Sequence, residues 1–206
     1  KPLCPSELQA LEKKLPLAIG QPEGAILKGK IKKDTAMIFA LLGTLYLYQQ
    51  DFDRAKENYE KSLSFSPFNP HALWGKGEIY FYQKNYPLAR RTFQKVITIR
   101  PMMDRALLGL GKIAARQGNY QKALEKFQKA VEIGEKWRIK AYKDPAPYLW
   151  LSWIYQKMGL KEKAEDYRKK AEAITPDWQK FVWDEELKEL TKGFPSNEPA
   201  NQREDE

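Results

Sequence analysis

Glycine recurs at Gly43, Gly77 and Gly111, and alanine at Ala55, Ala89 and Ala123. An aromatic ring recurs at Tyr59, Phe93 and Phe127, and proline at Pro67 and Pro101. Every series steps by 34 residues. Four residue types locked to one period constrain the fold more than composition does, because each period is then a unit that buries its apolar face only against its neighbours. Each type has a physical role. The glycine lets two helices of a unit approach closely, and the alanine does the same on the second helix. The aromatic ring fills the space between units. The proline stops the second helix, since it lacks an N–H and restricts the residue before it. Between the helices lie Asp51-Phe52, Asn85-Tyr86 and Gly118-Asn119-Tyr120, whose Asp, Asn and Gly favour tight turns.

The pattern resembles the tetratricopeptide-repeat (TPR) family, whose repeats are 34-residue helix–turn–helix units. The first repeat carries Phe39, Leu42, Gly43, Tyr46, Ala55, Tyr59 and Pro67. The second carries Leu73, Gly77, Tyr80, Ala89, Phe93 and Pro101. The third carries Leu107, Leu110, Gly111, Ala123, Phe127 and Ala130, and an offset fourth carries Tyr148, Leu151, Tyr155, Ala164, Ala171 and Pro176. The resemblance implies an all-α solenoid, a right-handed superhelix of antiparallel helix pairs with a C-terminal capping helix. The expected organisation is an N-terminal extension (1–35) with a short helix near 7–14 and a basic linker at 28–33. Repeats follow at 36–69, 70–103, 104–137 and 145–178, with an insertion at 138–144. A capping helix at 179–192 and a disordered tail at 193–206 close the chain. The third repeat lacks its closing proline, so its second helix is expected to run on by about two turns. In the fourth repeat Ser152 stands at the glycine position and Arg168 at the aromatic one, which predicts a less regular unit.

Charge is unevenly spread over the net +9. Residues 70–144 hold 16 basic and 6 acidic side chains, and residues 179–206 hold 4 basic and 8 acidic. A basic middle suits an anionic partner surface. The most apolar run, residues 36–48, is too short to cross a bilayer, which takes roughly 20 residues. One cysteine, Cys4, and one histidine, His71, provide neither an internal disulfide nor a four-ligand zinc set. The first residue is Lys1 rather than Met, so a signal or anchor removed by processing is one expectation, and a cytoplasmic or exported protein remain alternatives.

In the TPR family the first helices of successive repeats line a concave surface. Carried over by position, the partner-binding groove here comprises Tyr48, Trp74, Glu78, Phe81, Tyr82, Arg105, Lys112, Arg116, Trp150 and Trp153. Aromatic and arginine side chains are the types most enriched at binding hot spots. Some TPR proteins grip chaperone C-termini with a Lys, Asn, Asn, Lys, Arg clamp. The matching positions are Ala40, Thr44, Gly75, Arg105 and Gly109, of which Arg105 alone agrees. No motif supplies catalytic, metal or cofactor chemistry, and Gly75-Lys76-Gly77 is no phosphate loop. The expected function is a non-enzymatic scaffold for another protein or peptide. Nucleic-acid binding through the basic repeats is the alternative, as is a self-assembling structural subunit.

Overall fold

The computed structural model describes residues 25–137, 144–175 and 187. Among them are eight α-helices and no strand: α1 (Ala25–Tyr48), α2 (Phe52–Phe65), α3 (Pro70–Tyr82), α4 (Tyr86–Ile99), α5 (Asp104–Arg116), α6 (Tyr120–Trp137), α7 (Ala146–Lys157) and α8 (Lys161–Ile174). They fall into two compact units, Lys1–Ile133 and Gly134–Glu206.

In the first unit, α1 packs on α2 and α3, α2 on α3, α3 on α4 and α5, and α4 on α5. α1 and α3 thus each touch their own partner and the first helix of the next repeat, the nearest-neighbour scheme of a solenoid. The turns inside repeats are built alike. Gln50, Lys84 and Gly118 all take positive φ, at 61°, 59° and 73°. The next residue then donates its N–H back to a carbonyl five positions earlier, at 2.9–3.0 Å (Asp51 to Tyr46, Asn85 to Tyr80, Asn119 to Ala114). The same three residues cap the second helices, their side-chain oxygens accepting from Arg54, Leu88 and Lys122 N–H at 3.1–3.3 Å. One short polar residue therefore ends one helix and starts the next.

The repeat aromatics explain the glycines. A Cβ built on Gly43 would lie 2.7 Å from the Tyr59 ring, one on Gly77 2.5 Å from Phe93, and one on Gly111 2.3 Å from Phe127. A second glycine series completes the socket from the next repeat. Gly75 would meet Tyr59 at 2.0 Å, and Gly109 would meet Phe93 at 2.5 Å. Tyr59 and Phe93 are each fully buried between a glycine of their own repeat and a glycine of the following one, and Phe127 is fully buried against Gly111. At the equivalent place in the first repeat stands Leu41, which is 57% exposed.

One expectation changes. The basic stretch 28–33, read as a linker, lies inside α1, which begins at Ala25 rather than near residue 36. Lys, Ile and Leu are good or tolerable helix formers, and Gly29 alone is a weak interruption. The second helix of repeat three reaches Trp137, one turn past Ile133, where α2 and α4 would have stopped. Those two helices stop just before Ser66-Pro67 and Arg100-Pro101, whereas the third repeat has Glu135 at the proline position. The second of the two expected extra turns lies outside the described residues. So do the helix near 7–14, residues 138–143 of the insertion, the capping helix 179–192 apart from buried Leu187, and the tail 193–206.

In the second unit α7 packs on α8. Asp144 accepts the Ala146 N–H at 3.0 Å at the helix start. The departures from the repeat pattern have local causes. Arg168 turns to Glu165 and Glu172 instead of filling a socket. Ser152 therefore has room for its hydroxyl, which donates to the Ala164 carbonyl at 2.7 Å. The extra turn of α6 is put to use here, its Glu135 accepting the Tyr148 hydroxyl at 2.9 Å. Burial and this carboxylate both push the Tyr148 phenol pKa up.

Candidate partner-binding groove

The first-unit candidates sit on α1, α3 and α5. On α5, Arg105, Lys112 and Arg116 are seven and four residues apart and so share one helix face. The Arg105 guanidinium lies 5.1 Å from the Trp74 ring centre. Arg116 lies 5.0 Å from Phe81, and the Lys112 ammonium is 4.5 Å from Phe81 and 5.2 Å from Tyr82. Each cation of α5 thus rests on a ring of α3, an attraction that strengthens as water is excluded. The Tyr59 hydroxyl donates to Thr44 Oγ1 at 3.2 Å. Burial drives its phenol pKa up, and the charges of Tyr48, Glu78 and Arg105 all act on it.

The candidates differ in what they offer a partner. Tyr48 is 42% exposed. Tyr82, Arg105 and Arg116 are half-buried. Tyr82 also stacks on Phe52 at 5.5 Å. Trp74 is buried, as are Phe81 and the Glu78–Lys112 pair. These four side chains offer little surface to a partner. The Lys112 ammonium donates to Glu78 at 2.9 Å, and Arg105 and Arg116 are the half-buried cations on either side of it. In the second unit, Trp150 and Trp153 are both buried and meet edge-on at 5.6 Å. Trp150, at 0% exposure, has no face to present.

His71 falls on the same face of α3 as Trp74 and Glu78 by its spacing. Its Nε2 lies 3.4 Å from Arg100 Nη1. Burial, then Arg100 and Arg105, hold its pKa below the usual histidine value. The sequence contained the signal, since His71 and Arg105 occupy the same position one repeat apart.

A tetratricopeptide-repeat model matches residues 41–104 and 80–136, and a second one matches residues 146–177. The chain belongs to the tetratricopeptide-repeat family. Solved TPR structures resemble it in fold. A crystal structure of MamA aligns with a TM-score of 0.53 at 18% identity, over 86% of this chain and 98% of that one. MamA from Desulfovibrio magneticus RS-1 aligns with a TM-score of 0.52 at 20% identity, over 84% and 95%. The Arabidopsis OM64 TPR domain aligns at 0.51 and 11% identity, over 61% and 98%. No curated protein matches the chain. Among its described residues, no group of three or more His, Cys, Asp and Glu gathers as a metal site, and no helix is long and apolar enough to cross a membrane.

Proposed function

We propose that this TPR chain is a non-catalytic interaction scaffold that takes an acidic segment of a partner protein on the exposed face of its first helices. The observation that carries the reading is the pair of arginines on one face of α5. Arg105 and Arg116 are each half-buried, each seated on an aromatic ring of α3, with the lysine between them already neutralised by Glu78. Arginine held over a ring loses less side-chain freedom on binding, and it forms two parallel hydrogen bonds to a carboxylate. Tyr48 and Tyr82 add amphipathic surface along the same helices. Contact is thereby assigned to Tyr48, Tyr82, Arg105 and Arg116. Trp74, Glu78, Phe81 and Lys112 set the floor beneath them.

The test is affinity capture with the full chain and with an Arg105→Ala/Arg116→Ala variant of unchanged circular dichroism. A protein recovered by the parent and lost by the variant supports the reading. Equal recovery moves the site off this face. Nucleic acid in the captured material, with release that tracks salt steeply, would favour the nucleic-acid alternative instead. Size that grows with concentration in the absence of any partner would favour self-assembly.

A further inference from the structure

Away from the groove, a cleft of about 280 Å³ opens in the first unit between the second helices α4 and α6. Its apolar lining comes from Leu110 and Ala114 of α5. Leu110 lies two residues from Lys112, so it points to nearly the opposite side of α5 from the arginine face. The polar lining consists of Arg90, Gln94, Gln117, Asn119, Lys122 and Lys126, with no carboxylate among them.

The hydrogen-bonding state of these groups is selective. The Gln117 side-chain oxygen accepts from Arg90 Nη2. The Asn119 side-chain oxygen accepts from the Lys122 N–H at 3.2 Å. Each oxygen already accepts one hydrogen bond, and each amide still has its NH2 to offer. Lys126 is paired with Glu125 at 2.8 Å. Neither Arg90 nor Lys122 has a carboxylate within ion-pair distance among the described residues. The cleft thus offers donors in excess and two cations, Arg90 and Lys122, that lack a carboxylate at ion-pair distance.

We propose that this cleft binds a phosphate monoester group. A phosphate monoester carries close to two negative charges and three acceptor oxygens, matching two cations and several NH donors. A carboxylate brings one charge and two oxygens and leaves part of the set unmet. The group arrives either on a phosphorylated side chain of a protein or as a small free phosphate. The site is independent of the groove on the opposite side of α5, and its failure would leave the scaffold reading untouched.

The experiment is an NMR titration of the full 15N-labelled chain at constant ionic strength. The probes are inorganic phosphate, a blocked Gly-phosphoserine-Gly peptide and its unphosphorylated form. Saturable shifts are expected at Lys122 N–H and at the Gln117 and Asn119 side-chain amides, with no response to the unphosphorylated peptide. Arg90→Gln and Lys122→Gln, both on the surface and compatible with the fold, should each weaken binding about tenfold. Tighter binding of the phosphopeptide than of inorganic phosphate assigns the site to a phosphorylated protein. Equal binding assigns it to a free phosphate. Shifts that fail to saturate, or that persist unchanged in both variants, overturn the proposal.

Discussion

The Lys112 ammonium donates to Glu78 Oε2 at 2.9 Å, and the two residues stand one repeat of 34 apart on adjacent first helices. Their side chains are only 5% and 8% exposed. A buried pair of this kind gains little over apolar packing, because both charges lose their hydration. Removing one partner strands the other. Lys112→Met should therefore cost about 3–5 kcal/mol of stability in urea unfolding. The Glu78→Leu/Lys112→Met double variant should recover most of that loss. A single variant as stable as the parent would show that the pair is not closed off from water.

Gly75→Ala and Gly109→Ala should destabilise the first unit by at least about 1–3 kcal/mol, the range for overpacking a dense core. The added Cβ lands on the Tyr59 ring at 2.0 Å or the Phe93 ring at 2.5 Å. Phe93→Leu should destabilise on its own yet reduce the penalty of Gly109→Ala, so a double-mutant cycle should show positive coupling. Additive losses would separate the glycine from the ring.

Gln50 and Lys84 hold φ of 61° and 59°, where later turns place Gly118 and Gly159. A left-handed conformation costs a side-chain-bearing residue about 1–2 kcal/mol, offset in part by the greater freedom of glycine in the unfolded chain. Gln50→Gly and Lys84→Gly should each raise stability by up to about 1 kcal/mol, measured as a shift in the denaturation midpoint. A loss of stability in both would mean that these side chains support the turn.

His71 should make the fold acid-sensitive. Its pKa in the folded protein lies below the ordinary 6.5, so the unfolded chain binds the proton more readily. The folded state carries no penalty above the unfolded pKa, and stability falls as the pH drops through 6.5 toward the folded value. His71→Gln should flatten the stability profile between about pH 7 and 5 relative to the parent. The titration of its ring resonance checks the direction directly, and a midpoint above 6.5 would contradict it.

Trp74 is buried, and its indole N–H has no hydrogen-bond partner among the described residues. Trp74→Phe removes that unsatisfied donor while keeping a ring beneath Arg105. Its stability should stay within about 1 kcal/mol of the parent, whereas Trp74→Ala should lose about 3–5 kcal/mol. A large loss on Trp74→Phe would indicate that the N–H is satisfied after all.

The repeat pattern alone determined the architecture. Its 34-residue step, turn residues and closing prolines act through local sterics and nearest-neighbour packing, both visible in one dimension. Even the irregular fourth unit was legible, in Ser152 and Arg168. What the sequence could not assign was the use of each groove residue. Phe81, Glu78 and Lys112 share their positional class with Arg105 and Arg116, but burial depends on what the neighbouring repeat places opposite. Lys112 sinks because Glu78 waits one repeat away, and Arg105 stays half in water because Trp74 supplies a ring and no charge. Gly75 and Gly109 likewise read as spacers until the tertiary structure set them against Tyr59 and Phe93. The donor-rich cleft at Arg90 and Lys122 gathers residues from three helices, and only packing decides which side chains meet there and which oxygens already accept a hydrogen bond.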